Sequence, residues 1–192
     1  MAAALARRSP LAMVLLVLLA EAPMHPYRMR ELIRERDKDS VVNVASRNSV
    51  YQALSRLERA GLVTARETTR SQRRPERTVY AITDAGRAQL HEWLRAMLAE
   101  PRNEYPEFPA ALASLAVFGP AEVAALLQTR ADALREQLSG PDPATIAAEH
   151  HLHRVFLVEE EYKRAMAEAE VAWLSTLLDD LRSGALTWEA PG

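Results

Sequence analysis

The stretch SRNSVYQALSRLERAGLV, residues 46–63, decides how this chain folds. Wound as a helix at about 100° per residue, it gathers Val50, Ala53, Leu54 and Leu57 on one side. The other side holds Asn48, Gln52, Ser55, Arg56 and Arg59, with Tyr51 on the border. Ser46 suits the N-cap, and Gly61 stands where a helix end calls for a left-handed residue. A face meant only to stay in water mixes lysine with glutamate. This one offers amide, hydroxyl and guanidinium donors and leaves its one glutamate, Glu58, off to the side. Such donors hydrogen-bond base edges and phosphates, so the pattern predicts a helix suited to a major groove. Arg47 and Ser49, at its start, complete the candidate surface.

Beyond Gly61 the period changes. LVTARET and RTVYAIT are short runs with β-branched and aromatic residues, joined by TRSQRRP. They predict a hairpin with Arg70, Arg73, Arg74 and Arg77 at or near its tip. Upstream, residues 11–20 are ten unbroken apolar residues behind two arginines, a pattern shared with export signals. That run is half of the ~20 residues a membrane-spanning helix needs. A second amphipathic helix also follows almost at once, with Pro26 in its first turn and Met29, Leu32 and Ile33 on one face. A helical domain requires that continuation and a cleaved leader does not, so 11–20 is expected to be a core helix. Three helices followed by a hairpin with a basic tip describe a winged helix-turn-helix. In that architecture the third helix enters the major groove and the wing approaches the backbone or minor groove. A fourth helix is expected after Thr83 as cap and Asp84, with Leu90, Trp93, Leu94, Met97 and Leu98 apolar.

Charge divides the chain. Residues 1–87 carry sixteen Lys/Arg against nine Asp/Glu, and residues 88–192 eight against seventeen, so a basic half faces a polyanion and an acidic half does not. The prolines of EPRNEYPEFP mark the join, which sets expected domains of 1–99 (DNA binding) and 100–192 (helical, dimerisation and effector). There is no cysteine, which excludes disulfides and thiolate metal sites and fits a reducing, cytoplasmic setting. In the acidic half, PAALASLAVFGP predicts a short helix and AEVAALLQTRADALREQLSG a second. The third, over 144–183, would run ~60 Å. Phe156, Tyr162, Met166, Ala169, Trp173, Leu177 and Leu181 recur along it at near-helical spacing. One subunit cannot cover such a stripe, so a homodimer is expected, with two recognition helices on a pseudo-palindromic site.

Catalytic chemistry has no foothold. His150, His151 and His153 cluster in EHHLHR, but no distant ligand set supports a metal site, and Glu159, Glu160 and Glu161 point to three different helix faces. No nucleophile elbow, phosphate-binding loop or dinucleotide fingerprint occurs. The expectation is no enzyme, no cofactor and no metal.

LLVLLAEAPMHPYRM, NSVYQALSRLERAGLV and VYAITDAGRAQL, in that order over residues 11–98, resemble the PadR family of transcriptional regulators. The chain has Pro26, Arg28, Asn48 and Gln52 where that family commonly has glycine, an acidic residue, glycine and proline. The resemblance implies that Ser49, Tyr51 and Gln52 lie near DNA, with Tyr51 within reach of a phosphate. It also implies a repressor released by a small planar or lipophilic effector, for which Trp93 and Trp173 would be aromatic walls. The resulting expectation is a mainly α fold with a small β-hairpin: an N-terminal winged helix-turn-helix and a C-terminal helical dimerisation domain. Its partners would be double-stranded DNA, a second copy and an effector, with no membrane. The rival reading is a winged-helix module that docks a protein and ignores DNA.

Overall fold

The computed structural model describes residues 8–43, 47–71 and 74–189. The chain divides into two compact units between Asn103 and Glu104, inside the proline-bearing linker.

The first unit begins with α1 (Pro10–Glu21). Ser9 caps it by accepting the Ala12 N–H at 3.1 Å, and Pro10 takes the first helical position, where a missing N–H costs nothing. Ala12, Leu15, Leu16, Leu18 and Leu19 are buried, and Leu11, Met13, Val14 and Val17 pack around them. The run that resembles an export signal is thus the centre of the core. Each of its fully buried leucines contributes roughly 1.5–3 kcal/mol. α2 (Pro26–Glu35) is capped by His25, whose Nδ1 accepts the Tyr27 N–H, and it buries Met29 and Ile33. Then come α3 (Arg47–Arg59), the antiparallel strands β1 (Val63–Ser71) and β2 (Arg74–Ile82), and α4 (Asp84–Ala99).

A bidentate ion pair ties the ends of α1 and α2. Arg36 donates to the two carboxylate oxygens of Glu21 at 2.6 and 2.8 Å. The guanidinium hydrogen bond holds the Glu21 carboxyl below its usual 4.5. A lowered folded value stabilises above the unfolded pKa and is lost as pH falls through the folded one. Both side chains are partly in water, so the pair is worth less than about 1 kcal/mol. Glu21→Gln is therefore expected to lower stability slightly at neutral pH and to flatten the acid limb below pH 4.5, as read by urea midpoints across pH.

Two corners lock the hairpin to the helices around it. Gly61, at φ +72°, ends α3, with its N–H on Glu58 O at 2.8 Å and the Leu62 N–H on Leu57 O at 2.9 Å. Thr83 then ties this turn to α4. Its hydroxyl donates to Gly61 O at 2.7 Å and accepts the Gly86 N–H at 3.0 Å, while its own N–H reaches Leu62 O at 3.1 Å.

The strands run further toward the tip than expected, so much of TRSQRRP is strand and not loop. The register shifts twice, at Ala65/Glu67 and at Thr69/Ser71. At the second, Pro75 and Glu76 together stand opposite Arg70, one extra residue in β2, and such a bulge lets a proline sit in a two-stranded ribbon.

The second unit comprises α5 (Glu107–Leu112), a 3₁₀ turn (Leu115–Val117), α6 (Pro120–Leu138), α7 (Pro143–His150), a 3₁₀ turn (Arg154–Phe156) and α8 (Val158–Ser183). Val123, Leu127 and Ala131 of α6 pack against Leu174, Leu178 and Leu181 of α8. The helix expected over 144–183 is broken. His151 turns left-handed at φ 52°, the Leu152 N–H closes on Ala147 O, and the His153 ring accepts the Val155 N–H to start the next turn. Two histidines of the cluster are therefore used as caps at a helix break. None of the described helices is long and apolar enough to cross a membrane.

Candidate nucleic-acid interface

α3 presents the two faces its sequence predicts. Val50, Ala53, Leu54 and Leu57 are each 1% exposed or less and anchor the helix in the core. Asn48, Tyr51, Gln52, Ser55, Arg56 and Arg59 are exposed, and Ser49 is half-buried. Because the underside is fixed by four fully buried side chains, the outer donors are held on a rigid element. Arg59 Nε donates to Ser55 O at 3.3 Å, which lays that guanidinium back along the helix. The capping expectation for Ser46 lies outside the described residues, and of Arg47 only the backbone, at the start of α3, is described.

In the ladder Arg74 pairs with Ser71 and Arg77 with Thr69, and Arg70 stands between those two partners on β1. Arg73 lies outside the described residues. The wing is anchored at its base by a feature that sequence reasoning missed. Met24, in the α1–α2 turn, exchanges two backbone hydrogen bonds with Tyr80 of β2, both at 3.0 Å. Tyr80 is half-buried, and its phenol is pushed above its usual value chiefly by that burial, then by the Glu58 carboxylate and Tyr51. The Tyr80 phenol thus lies near Glu58 and Tyr51 of α3. The alternation of RTVYAIT marks Tyr80 as a strand residue, but nothing local in the sequence pairs it with Met24.

The residues expected to serve in the second half divide as follows. Trp93 is buried in the N-terminal core at 7% exposure. Trp173 belongs to the other unit, 46% exposed, with its ring edge-on to Phe108 at 6.3 Å. Phe156, in the 3₁₀ turn, and Tyr162 and Met166, on α8, are exposed as large apolar side chains. Leu177 instead packs against the α6–α8 core.

Residues 15–92 match the Transcriptional regulator PadR-like family. No curated protein matches the chain. Among solved structures, the chain is similar to Bacillus subtilis PadR in complex with operator DNA, at 20% identity over 89% of this chain and 97% of that one, TM-score 0.64. The same B. subtilis protein in complex with p-coumaric acid aligns at 19% identity over 91% and 99%, TM-score 0.63. The Vibrio cholerae virulence activator AphA aligns at 21% identity over 90% and 98%, TM-score 0.64. These likenesses are of fold.

Proposed function

We propose that this chain, which matches the PadR-like family of transcriptional regulators over residues 15–92, is a member of it that binds operator DNA as a homodimer and represses from it. The observation that carries this reading is the exposed donor-and-arginine face of α3 over a fully buried underside. An α-helix of that kind fits a major groove, and Asn and Gln there read base edges while arginines hold phosphates. The arginines at the end of the adjacent hairpin extend the surface toward the backbone. B. subtilis PadR, of like fold, forms a complex with operator DNA. Repression needs only occupancy of a promoter, and a protein working on duplex DNA in this way acts in the cytoplasm.

The test is binding of genomic duplexes across a salt series. Phosphate contacts release counterions, so affinity must fall steeply with salt. A salt-insensitive interaction, or none at low ionic strength, would favour the rival reading of a module that docks a protein.

The exposed stripe of Tyr162, Met166 and Trp173 on α8 supports the second copy. Large apolar groups left in water along one helix face are the signature of an interface. Met166→Glu, which buries a charge in that contact, is expected to give monomers by light scattering and to weaken operator binding, because two half-sites no longer bind as one. A dimer that survives Met166→Glu and Tyr162→Glu together removes α8 from the interface.

A further inference from the structure

The C-terminal unit contains a pocket of ≈ 410 Å³ between α6 on one side and α5 with its following turn on the other. That lies within the roughly 300–1,000 Å³ of small-molecule sites. Phe108, Leu112, Phe118 and Leu126 supply much of its wall, and Arg130 is the one charged side chain among the lining residues. A sugar or nucleotide would strand its hydroxyls and amides against such a lining, so the body of any ligand is apolar.

Arg130 decides the other end. Its guanidinium carbon stands 3.6 Å from the centre of the Phe108 ring, and its Nε donates to Glu170. A guanidinium has N–H groups on three nitrogens. With Nε taken and one face against an aromatic ring, the terminal nitrogens remain, and they have no hydrogen-bond partner among the described residues. Acceptors on a carboxylate suit them in a fork geometry that no neutral group matches. Glu170 already offsets the charge of Arg130, which disfavours a doubly charged head such as a phosphate monoester.

We propose that this pocket binds a lipophilic monocarboxylate, its apolar body between α5 and α6 and its carboxylate on the terminal nitrogens of Arg130. Occupancy reaches α8 by three routes. Val123 and Leu127 line the pocket and also belong to the α6–α8 core, Arg130 holds Glu170, and Phe108 meets Trp173. A ligand there therefore acts on the helix that carries the exposed stripe. Its effect on DNA rests on the regulator reading above; its binding does not.

The experiment is calorimetric titration of the full chain, without DNA, with decanoate and separately with 1-decanol. One saturable decanoate site per chain is expected. Arg130→Gln should weaken decanoate about tenfold or more and leave decanol within about twofold. Ala111→Trp, at the pocket wall, should abolish both, with thermal melting confirming the fold and Leu126→Trp standing in should it not fold. The proposal is overturned by the absence of saturable decanoate binding or by unchanged affinity in Arg130→Gln. It is overturned equally by an Ala111→Trp chain that turns monomeric yet binds decanoate as before, which would assign the pocket to contact between copies. Salt-dependent DNA binding without decanoate binding sinks only this proposal, and the converse sinks only the regulator reading.

Discussion

Gly86→Ala is expected to cost the N-terminal unit a large share of its stability. A Cβ at that position would stand 2.0 Å from the Leu62 carbonyl oxygen and 2.8 Å from Ile82 Cγ1. The first is backbone and cannot rotate away, and Leu62 O also accepts the Thr83 N–H. Relief demands that α4 move off the α3–β1 corner, which breaks the Thr83 hydrogen bonds and opens the core beside Leu90 and Trp93. Overpacking together with the breaking of such bonds costs about 3 kcal/mol or more, against a typical domain stability of roughly 5–15 kcal/mol. Hydrogen exchange reads it directly: amides of 10–99 lose protection, with those of 104–189 as internal reference. Gly61→Ala is the control. Gly61 has open space around its missing Cβ and only a left-handed backbone to strain, so it should cost about 1–2 kcal/mol. Should the two substitutions cost the same, the close approach at Leu62 is not what requires glycine at 86.

That contrast also shows which parts of the fold are legible in the chain itself. Gly61 is readable because the signal is local: a donor-rich amphipathic run followed by a left-handed stop. Gly86 is not, because the atom that excludes a side chain belongs to Leu62, and only folding brings it there. The two faces of α3 are legible for the same local reason, since four apolar residues at helical spacing leave one choice of underside. The break in the long C-terminal helix is not. It depends on His151 adopting a left-handed conformation and on the His153 ring acting as a cap, and histidine is tolerable inside a helix too. The stripe on α8 is legible only in part. Tyr162, Met166 and Trp173 face out, while Leu177 and Leu181 turn to the core made with α6, a partner the spacing along α8 alone does not reveal. Tyr80 is hidden in the same way, since its tie to Met24 crosses from the wing to the α1–α2 turn.

Replacing Arg56 and Arg59 together by alanine is expected to weaken binding to every duplex alike. Both are exposed in the last turns of α3, C-terminal to the amide and hydroxyl groups of Asn48, Ser49 and Gln52. A helix entering the groove by its N-terminal part reads bases there and leaves its C-terminal part to the backbone. The two arginines should therefore supply affinity without sequence preference. Each phosphate that is no longer neutralised lowers the slope of log affinity against log salt by about 0.9. With two arginines removed per chain, the slope should fall by about 2 for a monomer and about 4 for a dimer, so one measurement reads both the role of these side chains and the stoichiometry. Gln52→Ala should do the reverse. It leaves the slope intact and relaxes preference at one base pair by about 1–3 kcal/mol. Any scaffold that held these groups out in water could show one of the two effects. Only a helix laid in the groove by its buried underside shows them separately along its thirteen residues, base reading at Gln52 and backbone contact from Arg56 onward. If the double arginine variant changes sequence preference while Gln52→Ala changes the salt slope, α3 lies in the groove the other way round. If neither variant matters, α3 is not the surface that meets DNA.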